Sequence, residues 1–400
     1  MEEEGKQKPK KRNDKRNGKS KRKRKSKSRL SFLFAWDCFS PRRNNWGNRR
    51  MATLGVPDVV PSPAQDSQTL KKAFQGTSLS SSLVFSFWVL CLIRSKMGWG
   101  TDEKAIIKVL GRRNAGQRRK IKETYQQLYN ESLIHALQSE LSGDFGKAVI
   151  LWTSDPPERD ARLANEALKS RRKGINQVQV IVELACAYSP HHLVAVRQAY
   201  CSLFDCSLEE DIILYVDLPV RKILVGLVRS YRYDKEVVDS DVAEAEAAML
   251  HEAIEAKQLD HDNVVLILGT RNIFQLKLTF ECYKQNYGNH IDQPFHFKQN
   301  FQQDVESCGN GILESVLRVV IWCIDSPEKH FAEVIRASIV GLGTDEDSLT
   351  RAIVSRAEID MVKIRGEYYE VNKTSLEDAV IGDTSGDYKA FLMTLLGATL

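Results

Sequence analysis

Two stretches of this chain read almost alike: Gly98-Trp99-Gly100-Thr101-Asp102-Glu103 and Gly341-Leu342-Gly343-Thr344-Asp345-Glu346. Each stands just before an apolar helical pattern. Glycine lets a loop turn with positive φ and swing its carbonyl oxygens outward. A hard cation such as Ca²⁺ takes six to eight oxygens, with carbonyls and a carboxylate among them. Each loop therefore offers part of such a shell, and the carboxylate has to come from a separate loop that the fold brings close. The rest of the sequence offers less chemistry. The eight histidines show no HExxH or triad-like spacing. The eight cysteines (38, 91, 186, 201, 206, 282, 308 and 323) form no CxxC pair, which argues against zinc. Asp383-Thr384-Ser385-Gly386 is a DxxG string with no GxxxxGK[ST] loop to accompany it. Catalysis is not expected.

Charge is divided unevenly. Residues 1–50 carry 19 Lys or Arg and 5 Asp or Glu, whereas residues 51–400 carry 39 and 47. The body is thus mildly acidic, and it needs a local cation bridge to meet an anionic surface. The basic segment 1–50 has too little apolar periodicity to offset its ordering entropy and reads as disordered. Its run Lys21-Arg22-Lys23-Arg24-Lys25 is compatible with a nuclear address or a nucleic-acid-binding tail, and equally with a solvated tail. No charged-then-apolar leader opens the chain, and the scattered cysteines read as reduced thiols of a cytosolic protein. The longest apolar run, Leu83 to Ile93, rises roughly 16 Å as a helix, about half of a ~30 Å bilayer core.

The elements that must position the glycine loops appear as a repeat. Tyr125, Tyr200, Tyr283 and Tyr368 each follow an apolar helical stretch: Ile106–Leu110, Val180–Ala185, Val264–Leu268 and Leu349–Val354. Eight residues beyond each tyrosine stands an aliphatic residue (Leu133, Leu208, Ile291 and Leu376), two helical turns along one face. Proline is confined to joints such as Asp155-Pro156-Pro157 and Ser326-Pro327. Thr101-Asp102 and Thr344-Asp345 read as helix starts, with Thr344 able to cap the helix that follows. The reading is helical throughout, in four units.

The loop GxGTDE, with an acid 42 positions after its first glycine, resembles the type II calcium site of annexins; the acids here are Glu140 and Asp383. Plant members are the most similar, on Leu151-Trp152, Glu158-Arg159-Asp160-Ala161 and Ser230-Tyr231-Arg232-Tyr233. The resemblance covers about residues 52–400. It implies an all-α fold of four annexin-type repeats of about five helices each, arranged as a slightly curved disc. After a lead-in over 51–64, the repeats would span 65–152 (with an insertion at 77–98), 158–229, 241–322 and 325–396.

The resemblance also implies the ligands. The first Ca²⁺ would take carbonyls of Lys96, Gly98 and Gly100 with the carboxylate of Glu140. The fourth repeat would use carbonyls of Ile339, Gly341 and Gly343 with Asp383. The remaining coordination positions would go to water or lipid phosphate, so that Ca²⁺ bridges the protein to an acidic phospholipid membrane from the cytoplasm. Repeats 2 and 3 lack the signature and are expected to hold no such site. The insertion separates the first helix from its loop, so the first site is expected to be the weaker, and Gly76 competes with Gly98 as its loop glycine. The position where a repeat-one histidine has been tied to peroxidase activity is Arg112 here. Cys186 and Cys323 match a proposed redox-sensitive pair, although both lie in apolar stretches that bury inert thiols. Binding of nucleic acid through residues 1–50 is the alternative function. Trp99, at the first loop's tip, is expected to face the membrane. With the other tryptophans replaced, its fluorescence should shift blue when vesicles and Ca²⁺ are added.

Overall fold

The computed structural model describes residues 51–75, 100–171, 174–288, 301–309, 311–341 and 343–398, all within the compact unit Gly47–Leu400. Residues 1–50, Gly76, Trp99 and the whole insertion 77–98, with its apolar run 83–93, Lys96 and Gly98, lie outside the described residues.

The described residues form helices and no β-strand. The first five are α1 (Pro63–Gln75), α2 (Glu103–Leu110), α3 (Ala115–Tyr129), α4 (Leu133–Glu140) and α5 (Gly143–Thr153). The next five are α6 (Pro156–Lys169), α7 (Ile175–Cys186), α8 (Pro190–Phe204), α9 (Leu208–Tyr215) and α10 (Val220–Arg229). They are followed by α11 (Ser240–Glu255), α12 (Asp262–Thr270), α13 (Ile273–Tyr287), α14 (Phe301–Ser307) and α15 (Ile312–Asp325). The last are α16 (Pro327–Ile339), α17 (Glu346–Arg356), α18 (Met361–Asn372), α19 (Leu376–Asp383) and α20 (Gly386–Leu395).

Local chemistry sets the ends of these helices. Proline opens α6, α8 and α16, where its missing N–H costs no hydrogen bond. Asn114 and Ser207 form capping boxes with Gln117 and Glu210 at the starts of α3 and α9. The third helix of three groups stops five residues past its tyrosine, on a left-handed residue: Asn130, Asp205 and Lys373. Asn and Asp adopt that conformation readily, whereas Lys373 does so at some cost.

The four register tyrosines are all buried. Tyr200 donates to Asp211 Oδ2 at 2.5 Å, and Tyr283 to Asp304 Oδ2 at 2.7 Å. Asp211 is the fourth residue of α9 and Asp304 the fourth of α14, so the counterpart of Leu208 is Phe301. The sequence register puts it instead at Ile291, which lies outside the described residues. Ala136 and Ala379 occupy the same place in α4 and α19.

That difference follows the division of the core. One apolar cluster joins the second and third groups, from Ala161 to Ile324. The other joins the first and fourth, from Leu70 to Trp152 and from Phe331 to Leu396.

A charged layer lies where the two clusters meet. Glu183 of α7 pairs with Arg351 of α17 and contacts His330 Nε2 of α16 at 2.9 Å. Arg356 Nη1 donates to the carbonyl of Ala187 at 3.0 Å. Arg159 grips Asp160 through Nε at 2.7 Å and Nη2 at 3.1 Å, and His192 Nε2 is 2.7 Å from the same carboxylate. Burial pushes the Asp160 carboxyl up, but Arg159 and His192 outweigh it and hold the group below the usual carboxylate range. The lead-in joins the fold to its last group: Thr53 N donates to Ala357 O at 3.1 Å, and Thr53 Oγ1 to Leu395 O at 2.7 Å.

The lowered Asp160 carboxyl contributes stability above the unfolded-state value of about 4, and that stability is lost as pH falls through the folded-state value. Asp160→Asn should flatten this acid limb in denaturant titrations run from about pH 6 to about pH 3. At neutral pH it should cost about 3 kcal/mol, because Arg159 stays buried without its counter-ion.

Candidate cation-binding loops

In the fourth group, α16 and α17 are joined by residues 340–345. The Asp345 amide donates back to Ser338 O at 2.8 Å, which closes the loop on itself. Gly341 and Gly343 hold φ at +147° and +93°. A side chain at either position would meet nothing within 4 Å, so it is the backbone conformation, not lack of space, that calls for glycine. Asp345 accepts from Ser348 N at 3.1 Å and is therefore the cap of α17. Thr344, which the sequence offers as a cap, does something else. Its hydroxyl bonds Asp383 Oδ2 at 2.5 Å and lies 3.2 Å from Asp383 O. Asp383 is the last residue of α19, so this threonine ties the glycine loop to the carboxylate across the fold. No signal in the sequence marks this role, because threonine and aspartate both serve as helix caps.

The first group repeats the arrangement. Asp102 accepts from Ala105 N at 3.0 Å, and Thr101 Oγ1 lies 3.4 Å from Glu140 Oε2 at the end of α4. Gly100 has φ +21°. The Asp102 amide donates to Ala73 O at 2.9 Å. This is the counterpart of the Asp345–Ser338 bond, closed here over residues 74–101 instead of 339–344. The two ends of the long segment are thus held together.

The structure therefore ties Thr344, the residue after Gly343, to Asp383, and brings Thr101, the residue after Gly100, to 3.4 Å from Glu140. Lys96, Gly98, Gly76 and Trp99 lie outside the described residues. In the second group the matching helix α9 ends on Tyr215, and in the third Cys308 follows α14, so neither offers a carboxylate at that place. Among the described residues no three His, Cys, Asp or Glu side chains converge as a metal cluster. A cation at these loops would rest on carbonyl oxygens and one carboxylate, a donor set that suits a hard ion.

The fold is thus that of a four-part helical repeat protein in which a threonine at the start of a helix meets a carboxylate from another helix in the first and fourth parts. The sequence profile described as Annexin matches residues 92–152, 245–319 and 330–395. Annexin D3 of Arabidopsis thaliana is 55% identical over 353 residues, which cover 88% of this chain and 100% of that protein. Annexin-like protein RJ4 of Fragaria ananassa is 47% identical, covering 76% of this chain and 93% of the relative. Among solved structures, annexin III superposes with a TM-score of 0.73 at 28% identity, covering 87% of this chain and 97% of that one. Calcium-bound annexin (Sm)1 gives 0.68 at 25% identity, with 87% and 93% covered. This chain belongs to the annexin family.

Cys186 and Cys323 are both buried, and burial pushes the Cys186 thiol up to about 11 and the Cys323 thiol well above its ordinary value. Thiolate is the reactive form, so both are protected in the native fold. Brief alkylation of the native protein, read by peptide mass spectrometry, should label exposed Cys201 and leave Cys186 and Cys323 unlabelled until denaturant is added.

Proposed function

We propose that this chain binds acidic phospholipid surfaces through Ca²⁺ held in the loops of repeats 1 and 4. Calcium-dependent phospholipid binding is the general activity of annexins. The observation that carries the reading is the closure of the Thr344 loop onto Asp383, beside two glycines whose positive φ turns the chain out of the helical path. In the fourth repeat the ligands are the carbonyls of Ile339, Gly341 and Gly343 and the carboxylate of Asp383. In the first they are the carbonyls of Lys96, Gly98 and Gly100 with Glu140. Repeat limits of 65–152, 158–229, 241–322 and 325–396 belong to the same reading.

Ca²⁺ would neutralise the carboxylate and leave coordination positions for lipid phosphate, which lets a body of net negative charge dock on an anionic surface. Association would be peripheral, since no helix among the described residues is long and apolar enough to cross a membrane. We assign the chain no catalytic role. The fourth site is the stronger of the two, because its threonine tie is 2.5 Å against 3.4 Å in the first and no long segment precedes its loop.

Co-sedimentation with phosphatidylserine vesicles at fixed ionic strength tests this. The chain should pellet with Ca²⁺ and stay in solution with chelator when residues 1–50 are removed. Asp383→Asn should raise the Ca²⁺ needed for half-binding about tenfold, the equivalent of ~1.4 kcal/mol, and Glu140→Gln should raise it less. Equal pelleting in chelator would overturn the reading, and a larger effect of Glu140→Gln would reverse the ranking of the sites.

A further inference from the structure

We propose that repeat 2 enters the lipid surface directly, without a metal, through an apolar tip of Ile213, Leu214 and Leu218. The inference rests on the reading above, in which the ends of α4 and α19 face an anionic membrane.

Helices α4, α9 and α19 are equivalent. Each is eight residues long, follows a serine (Ser132, Ser207 and Ser375) and begins with leucine. Two of them end on the carboxylates of the proposed calcium sites, Glu140 and Asp383, while α9 ends on Tyr215. What α9 presents there is apolar. Ile213 is 52% exposed, Leu214 71% and Leu218 63%. The matching residues are Gln138 and Ser139 in α4 with Gly143 beyond it, and Ile381, 38% exposed, and Gly382 in α19 with Gly386 beyond it. Three large apolar side chains exposed so close together are more than the single ones that any protein surface carries.

Cations flank the tip. Arg221 Nη1 donates to Ile213 O at 3.1 Å, which places a guanidinium beside it. Lys169, at the end of α6, has its ammonium 3.8 Å from Asp211 Oδ2 and its side chain 44% exposed. Arg171 is exposed in the loop that takes the place of the glycine loops of repeats 1 and 4. Asp217 stands exposed in the same segment as the tip. An apolar tip rimmed by Lys and Arg suits the boundary between phosphate headgroups and acyl chains, where the side chains gain burial and the cations keep anionic partners. Repeat 2 thus supplies fixed cations where repeats 1 and 4 would borrow a divalent one, and this charge pattern selects an anionic membrane over an apolar protein surface.

The test uses the full chain and vesicles of phosphatidylserine and phosphatidylcholine at saturating Ca²⁺. The double variant Leu214→Asp, Leu218→Asp should need roughly tenfold more lipid for half-binding, with its thermal midpoint unchanged because both side chains are exposed. Leu214→Trp supplies an independent reading: brominated phospholipid should quench its emission, relative to the parent chain, only when vesicles and Ca²⁺ are both present. Parental binding by the double variant, or no added quenching in Leu214→Trp, overturns the proposal while the calcium reading stands. Failure of the parent chain itself to pellet with Ca²⁺ overturns both. A parent chain that self-associates in sedimentation equilibrium, a double variant that does not, and unchanged vesicle binding would assign the tip to a second copy of the chain and overturn the proposal.

Discussion

The corners of the first and fourth repeats depend on one backbone hydrogen bond made twice. Asp345 N to Ser338 O, and Asp102 N to Ala73 O, each join the end of one helix to the start of the next. With that bond made in the fourth repeat, Gly341 and Gly343 lie between the two helices with φ at +147° and +93°, outside the helical path. The same bond holds Thr344 and Thr101 toward the carboxylates at the ends of α19 and α4. It also explains how repeat 1 accommodates a long extra segment: the bond fixes where the segment leaves and where it returns.

The repeats are not packed alike. The first shares a core with the fourth, and the second with the third. Between the two cores stand ionic contacts, with Glu183, Arg351 and His330 meeting in the interior. Buried ion pairs contribute little net stability but cost heavily when one partner is lost. Such a layer fixes how the two halves align more than it strengthens their association. The tyrosine bonds follow the same division, present in repeats 2 and 3, with alanine (Ala136 and Ala379) in the aspartate's place in repeats 1 and 4.

Repeats 2 and 3, which lack the paired glycines and the carboxylate, are not alike. Repeat 3 carries Cys308 where a carboxylate would stand. Repeat 2 carries Tyr215, with leucine and isoleucine exposed around it. Four equivalent corners can therefore divide their chemistry, because each corner's loops are set by its own helices and tolerate different side chains.

The helices are legible in the sequence because their causes are local. Apolar spacing, proline at first positions and capping residues act within a few positions, and they repeat at each tyrosine. The glycine loops are legible for the same reason, as is the spacing to Glu140 and Asp383. The register fails in repeat 3, where equal spacing points to Ile291 and the equivalent helix begins at Phe301. Counting residues cannot see extra chain between two helices, whereas the Tyr283–Asp304 bond can. The role of Thr344 is also out of reach, since its partner is 39 positions away and is chosen by packing. The order of residues along the chain thus dictates which segments are helical and which residues could hold a cation. Which loops meet is a matter of packing, because it depends on contacts between helices far apart in the chain.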